Sequence, residues 1–137
     1  INTMRRNLGN NLYNNAGVFR THDSLANALE YVHYLMKMSS GLCCINKERS
    51  DNVELLSIIE FRNSLTVAEV MVMSALAREE SRGSHYRNDF PEKDDKNYET
   101  NTIIRRLAKA FLRISFESHL SSDWWDRIRR LFHTQIG

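Results

Sequence analysis

The chain is short of the residues that break helices or staple small folds. It has one proline, Pro91, and five glycines, Gly9, Gly17, Gly41, Gly83 and Gly137, too scattered to make a phosphate-cradling loop. The chain therefore lacks the means to bind a dinucleotide by itself. Its two cysteines, Cys43 and Cys44, are neighbours, which is neither a disulfide framework nor a metal-ligand spacing, and a reducing compartment follows. The histidines, His22, His33, His85, His119 and His133, form no metal-binding pattern and read as surface or capping residues. No apolar run approaches the roughly 20 residues that cross a bilayer, and no signal peptide is visible, so direct membrane insertion is not expected. A net charge of +2 with 26% charged residues gives no general pull toward nucleic acid.

What is present is helical patterning. An apolar share of 42% over 137 residues can build one core. Met4, Leu8 and Leu12 stand four apart in a short helix ending at Asn15-Ala16-Gly17, with Asn2 or Thr3 as its cap. Thr21 caps a second helix from His22 to Ser39, whose stripe is Leu25, Ala28, Leu29, Val32, Leu35 and Met36, and Gly41 closes it. After a connection containing Cys43 and Cys44, read as plain loop thiols, a third helix is predicted from Asn52 to Arg82, capped by Asp51 or Asn52. Leu55, Ile58, Phe61, Leu65, Ala68, Val72 and Ala75 give it one buried face. Leu56, Ile59, Val67, Val70 and Met71 give it a second, without a partner inside a three-helix bundle.

Beyond Gly83, read as the end of the third helix, residues 84 to 101 read as a loop. From Thr102 to Glu117 two patterns compete. Ile103, Ile104, Leu107, Ala108 and Phe111 recur at helical spacing, while Leu112, Ile114 and Phe116 alternate as in a strand. Local pattern leans toward a helix running into a strand. A final helix is expected over Ser122 to Thr134, with Trp124, Trp125, Ile128, Leu131 and Phe132 on its apolar face. The fold class is therefore all-α: an up-and-down, spectrin-repeat-like three-helix bundle over residues 1–101 with its following loop. A C-terminal extension over 102–137 packs on it and carries a short strand or hairpin and a final helix.

The run Arg78-Glu79-Glu80-Ser81-Arg82-Gly83-Ser84-His85-Tyr86-Arg87-Asn88-Asp89 concentrates the chemistry. Carboxylates near the negative end of a helix are unfavourable by a few tenths to about 1 kcal/mol unless compensated, and Arg78, Arg82 or Arg87 can compensate them. The plain interpretation is a solvated charge cluster; the sharper one is an interlocked network at a domain or subunit contact. From Ala75 to Asp95, ALAREESRGSHYRNDFPEKDD resembles the C-terminal helical domain of the flavoprotein subunits of succinate dehydrogenases and fumarate reductases, a domain shared with L-aspartate oxidases. Met4, Asn14, Gly17-Val18, Arg20-Thr21, Leu25 and Ala28-Leu29 resemble that family's first long helix, and Glu60 with Arg62-Asn63 its next. The resemblance covers roughly the first hundred residues and fades after Thr102.

The resemblance implies that the chain is a piece of a longer oxidoreductase, as does its start at Ile1 without Met. It implies FAD in the full-length protein and no cofactor in this fragment, succinate–fumarate interconversion with hydride transfer at the flavin, and no catalytic, cofactor-binding or metal residue here. The implied partners are the FAD-binding domain of the same chain and an iron–sulphur subunit. The implied place is cytoplasmic, peripheral at the cytoplasmic face of the inner membrane within a complex. Glu80, Ser81, Arg82, Gly83, His85, Arg87 and Asp89 take a structural or interface role only. Asp94-Asp95, Asn97-Tyr98 and Thr102 resemble succinate and fumarate enzymes more than aspartate oxidases. The C-terminal domain of an L-aspartate oxidase and a stand-alone helical interaction module are the alternatives.

Overall fold

Three helices form in chain order, and each starts or stops on a legible signal. A computed structural model describes residues 1–48, 50–108 and 111–118, so the predicted final helix with Trp124 and Trp125 lies outside the described residues. The chain divides into two compact units, Ile1–Lys93 and Asp94–Gly137.

In the first unit, α1 spans Asn2–Ala16, α2 His22–Ser40 and α3 Val53–Ala77. Ile1 occupies the cap position of α1 without a side-chain hydrogen bond, so neither Asn2 nor Thr3 caps it. Gly17 ends it, where a Cβ would lie 2.5 Å from the Tyr13 carbonyl oxygen. Thr21 and Ser24 cap α2 reciprocally: the Thr21 hydroxyl accepts from the Ser24 N–H at 3.1 Å, and the Ser24 hydroxyl accepts from the Thr21 N–H at 3.0 Å. Asn52 caps α3, its side-chain oxygen accepting from the Leu55 N–H at 2.9 Å. The preceding connection is tied to the first turn of α3 by Glu54, whose carboxylate accepts the N–H groups of Ile45 and Asn46. The Asn46 N–H and the Cys44 thiol foremost hold that carboxyl below its ordinary range.

α2 is the central element, with α1 along one flank and α3 along the other, while α1 and α3 meet only briefly. One core cluster joins Leu8, Val32, Leu35, Phe61, Leu65 and Ala68; a second joins Ala16, Leu25, Ala28, Val72 and Ala75. These are the faces read from the sequence, except that Leu55 is exposed. The second apolar set of α3 is open to solvent at Leu56, Ile59, Val67 and Met71. Between α1 and α3 it borders a groove of about 550 Å³ lined by Leu8, Leu12, Val67, Ala68 and Met71, with Arg5 at one edge.

Two boundaries differ from the sequence reading. α3 stops at Ala77, not at Arg82: Arg78 turns to extended backbone, and the residues after it build a loop. Gly83 does adopt a left-handed conformation, φ 58°, but inside a turn closed by reciprocal hydrogen bonds between Arg82 and His85. That loop also contains β2, Tyr86–Arg87, which pairs in parallel with β1, Phe19–Arg20, on the connection between α1 and α2.

The second unit opens with a one-turn helix, α4, Asp95–Tyr98, capped by Asp94, and continues into an antiparallel hairpin of β3, Thr100–Ala108, and β4, Phe111–Ser118. The helix expected from Thr102 is a strand. Its helical spacing is outweighed by a β-branched run, Thr102-Ile103-Ile104, that finds a partner strand in register. Ile104 faces Ile114 and Thr102 faces Phe116, with Tyr98 edge-on to Phe116 at 5.2 Å, while Arg105 and Glu117 pair across the other face at 2.8 Å.

Phe61 is wholly buried where α1, α2 and α3 share one cluster. Truncation to Ala is expected to cost about 3–5 kcal/mol in chemical denaturation, whereas Val67→Ala, on the open face, is expected to change stability by less than about 0.5 kcal/mol.

Candidate functional site

The loop after α3 is built around two groups that no solvent reaches, the guanidinium of Arg87 and the carboxylate of Glu80. A buried charge is stable only when its hydrogen-bonding capacity is used, and here it is. Arg87 donates through Nη1 to the carbonyl oxygens of Ala75, Leu76 and Arg78, at 3.1, 3.3 and 3.3 Å. These belong to the last turn of α3 and its cap, so a cation stands where the helix ends its hydrogen bonding and presents negative charge. The other edge of the fork meets Asp89: Nε donates to Oδ1 and Nη2 to Oδ2, both at 2.7 Å. Asp89 in turn accepts the backbone N–H of His22, the first residue of α2, at 2.8 Å. Arg87 and Asp89 thus join the negative end of α3 to the positive end of α2.

Glu80 takes a bidentate fork from Arg82, Nε to Oε1 at 2.8 Å and Nη2 to Oε2 at 2.9 Å, and a short contact from Arg78. Of the proposed compensating arginines, Arg78 and Arg82 hold Glu80, while Arg87 serves the helix end and Asp89. Ser81 stitches the loop to itself: its hydroxyl accepts the Arg87 N–H at 2.8 Å and donates to the Phe90 carbonyl at 2.8 Å. Phe90 lies against the Arg87 guanidinium, 5.0 Å from ring centroid to carbon.

His85 is neither a surface nor a capping residue. It is half-buried, with Arg20 Nη1 2.8 Å from Nδ1 and the Arg78 carbonyl 3.2 Å from Nε2. Burial foremost, with Arg20, Arg87 and Arg78 adding positive charge, pushes its pKa below the ordinary value. Burial likewise lowers that of Arg20. For Asp89 the hydrogen bonds from Arg87, aided by the His22 N–H, hold the carboxyl well below the usual carboxylate range.

All seven residues singled out in the sequence, Glu80, Ser81, Arg82, Gly83, His85, Arg87 and Asp89, therefore lie in one loop. Six take part in its hydrogen bonding, and Gly83 supplies the turn. Sequence reasoning missed Arg20 as a member of this cluster, and it missed the pairing of Phe19 with Tyr86, whose rings meet edge to face at 5.7 Å. Arg78, Arg82 and Arg87 and the carboxylates of Glu80 and Asp89 are matched to one another or to backbone carbonyls, while Glu79 is exposed, and among the described residues no group of three or more His, Cys, Asp or Glu side chains converges as a metal site. The arrangement's exposed residues include the apolar Val18, Phe19, Tyr86 and Phe90 together with the polar Glu79, Ser84, Asn88 and Asp89.

The family described as the C-terminal part of fumarate reductase flavoproteins matches residues 5–124, past the point where the motif resemblance fades. The chain is 33% identical over 124 residues to the fumarate reductase flavoprotein subunit of Mycobacterium tuberculosis, a match covering 90% of this chain and 21% of that protein. It is 36% identical over 115 residues to the 8-methylmenaquinol:fumarate reductase flavoprotein subunit of Wolinella succinogenes, covering 83% of this chain and 19% of that one. A chain of the Escherichia coli quinol–fumarate reductase superposes with a TM-score of 0.79 at 28% identity, over 88% of this chain and 21% of its own. A chain of the Mycobacterium smegmatis Sdh1 complex does so at 0.75 and 26%, over 86% and 20%. The chain spans about a fifth of the length of the relatives it matches.

Asp89→Asn retains the shape but weakens the Arg87 fork and is expected to cost about 1–3 kcal/mol at pH 7. Because the folded-state pKa of Asp89 is depressed, this contribution is present above the unfolded carboxylate value and is lost as pH falls through the folded one. The gap between wild type and variant should therefore begin to close only as pH falls below about 4, and keep narrowing toward the depressed folded-state value, in urea titrations repeated across pH. Arg87→Met leaves Asp89 and the end of α3 unmatched and is expected to cost about 3–5 kcal/mol, with Arg87→Lys intermediate.

Proposed function

This chain belongs to the fumarate reductase and succinate dehydrogenase flavoprotein family through that family's C-terminal region, and from this membership we propose that it is the structural and subunit-facing domain of such a flavoprotein subunit. The observation that carries the reading is the pairing of that membership with a charged motif whose side chains are used up inside the domain. In this reading the catalytic groups lie elsewhere in the full-length protein, which interconverts succinate and fumarate and passes electrons through FAD. The residues described here do not fit a flavin. The glycines are dispersed, and the loop guanidiniums that would meet a pyrophosphate are engaged by Glu80, Asp89 and backbone carbonyls.

The open face of α3 supports a contact with the flavin-binding part of the same polypeptide. Leu56, Ile59, Val67 and Met71 are exposed along one stripe, and an apolar row of this length on a folded domain marks an interaction surface. The loop supports a second contact, with an iron–sulphur subunit. Glu80 and Arg87 shape it from beneath, and Ser81, Arg82, Gly83, His85 and Asp89 set the backbone that presents Tyr86 and Phe90. In this proposal the protein is cytoplasmic and peripheral, at the cytoplasmic face of the inner membrane within a complex. No described helix is long and apolar enough to cross a membrane.

The native protein, captured with an antibody against this chain, is expected to be several times heavier than 16.1 kDa, to carry flavin, and to bring an iron–sulphur protein with it. Flavin without an iron–sulphur partner would instead point to aspartate oxidation, and a colourless species of this mass would sink the proposal. Val67→Asp combined with Met71→Asp is expected to abolish assembly of the flavoprotein, read by size-exclusion chromatography. The same changes should alter the stability of this domain by about 1 kcal/mol or less, because Val67 is largely exposed and Met71 about half so.

A further inference from the structure

The hydrogen bonds of His85 determine its protonation state without reference to any titration. A guanidinium cannot accept, so Nδ1 must accept from Arg20 Nη1 at 2.8 Å. A carbonyl cannot donate, so Nε2 must carry the proton it gives to the Arg78 oxygen at 3.2 Å. Both contacts exist together only for the neutral Nε2–H tautomer. Each side of the imidazole is anchored to a different part of the domain. Arg78 is the residue that ends α3, and Arg20 lies in the connection between α1 and α2, where its Nε also donates to the Gly17 carbonyl at 2.7 Å.

We propose that His85 is an acid-released latch between the α1–α2 connection and the loop after α3. Adding a proton at Nδ1 turns the Arg20 contact from an accepted hydrogen bond into two donors and two positive charges face to face. The Arg78 side is not lost, since an imidazolium donates to a carbonyl more strongly than an imidazole does. Release is therefore one-sided, and the connection leaves while the histidine stays on the helix end. The charged groups facing the ring favour this outcome. Arg20 comes from the connection, Arg78 from the end of α3 and Arg87 from β2, while the nearby carboxylates are engaged, Glu80 by Arg78 and Arg82, Asp89 by Arg87 and the His22 N–H.

What the latch holds is the short parallel pairing of β1 with β2. The Asn88 N–H donates to the Arg20 carbonyl at 2.8 Å, and the Phe19 and Tyr86 rings pack just beside it. Opening the latch frees this pairing and disorders the aromatic edge without touching the helical core. The lowered pKa of His85 agrees with the geometry and sets the direction: the neutral form is favoured in the closed loop, so closure is fully stabilised above the ordinary histidine value of about 6.5. It weakens as pH falls from there toward the titration of the closed form. This window lies well above that of Asp89, so the two effects separate.

Side-chain nitrogen NMR of the 137-residue chain tests the latch directly. At pH 8 Nδ1 of His85 is expected to resonate as an unprotonated, hydrogen-bond-accepting nitrogen and Nε2 as a protonated one, with a titration midpoint below about 6.5. Over the same pH range the hydrogen-exchange protection of the Asn88 amide, corrected for intrinsic rates, should fall by up to about tenfold per pH unit. Amides at the centre of α3 should keep theirs. His85→Gln can accept from Arg20 and donate to Arg78 at every pH, so it should preserve Asn88 protection and abolish its pH dependence. Arg20→Met should raise the His85 midpoint by removing the facing charge. An Nδ1–H tautomer, a midpoint at or above the ordinary value, or an unchanged pH dependence in His85→Gln would each overturn the proposal. The wild-type tautomer and midpoint decide it even if neither variant folds.

Discussion

The ion pair of Arg87 with Asp89 is the constraint on which the arrangement of the helices depends. A 25-residue helix leaves a set of carbonyls and a partial negative charge at its last turn, and the start of α2 leaves unpaired N–H groups and a partial positive charge. The usual solutions are local, a glycine or a nearby polar side chain for each end separately. Here one guanidinium serves the end of α3, one carboxylate serves the start of α2, and the two bind each other through a bidentate fork. The order of charges along this line, helix carbonyls, cation, anion, helix N–H, is favourable at every step. It also fixes a distance. The last turn of α3 must sit within reach of the first turn of α2, which is what an antiparallel pairing of these helices requires.

The same economy governs the loop around it. Its buried cations and carboxylates answer to partners within the domain, which offsets the desolvation penalty that unpaired charges would carry there. The apolar residues that face outward are Val18, Phe19, Tyr86 and Phe90, and along the rod Leu56, Ile59, Val67 and Met71. Interface cores are depleted in free charge and enriched in aromatic and aliphatic groups. In the proposed reading the buried part of the charged motif shapes the backbone beneath this surface.

The parts of this architecture legible in the sequence are those decided within a turn or two of chain. Thr21 with Ser24, Asn52 with Leu55, and the stripes Leu25, Ala28, Val32, Leu35 and Ile58, Phe61, Leu65, Ala68 all reflect local spacing, and all hold. The end of α3 was not legible because Arg78, Glu79 and Glu80 are good helix formers. What stops the helix is Arg87, reaching back across 12 residues to Ala75, and the withdrawal of Glu80 into a fork with Arg82. The strand at Thr100–Ala108 was hidden for a related reason. Ile103, Ile104 and Leu107 fit both periods, and only the partner strand, in register from Ser118 back to Leu112, decides between them.

The candidate site shows the same division, and it bears on how such motifs are interpreted. A run holding Glu, Ser, His, Arg and Asp within ten residues contains every group a hydrolase or proton-transfer site would need, and composition alone cannot dismiss that. Geometry can. A general base needs a lone pair aimed at empty space where a substrate proton could be, yet the accepting nitrogen of His85 faces a guanidinium. A nucleophile needs a hydroxyl beside a base, yet Ser81 both accepts from and donates to its own loop backbone. An anion-binding arginine needs a free fork, yet those of Arg82 and Arg87 are closed on Glu80 and Asp89. When each reactive group in a motif is matched by another group of the same domain, the motif encodes a shape, and the chemistry it serves must be sought in whatever that shape is built to hold.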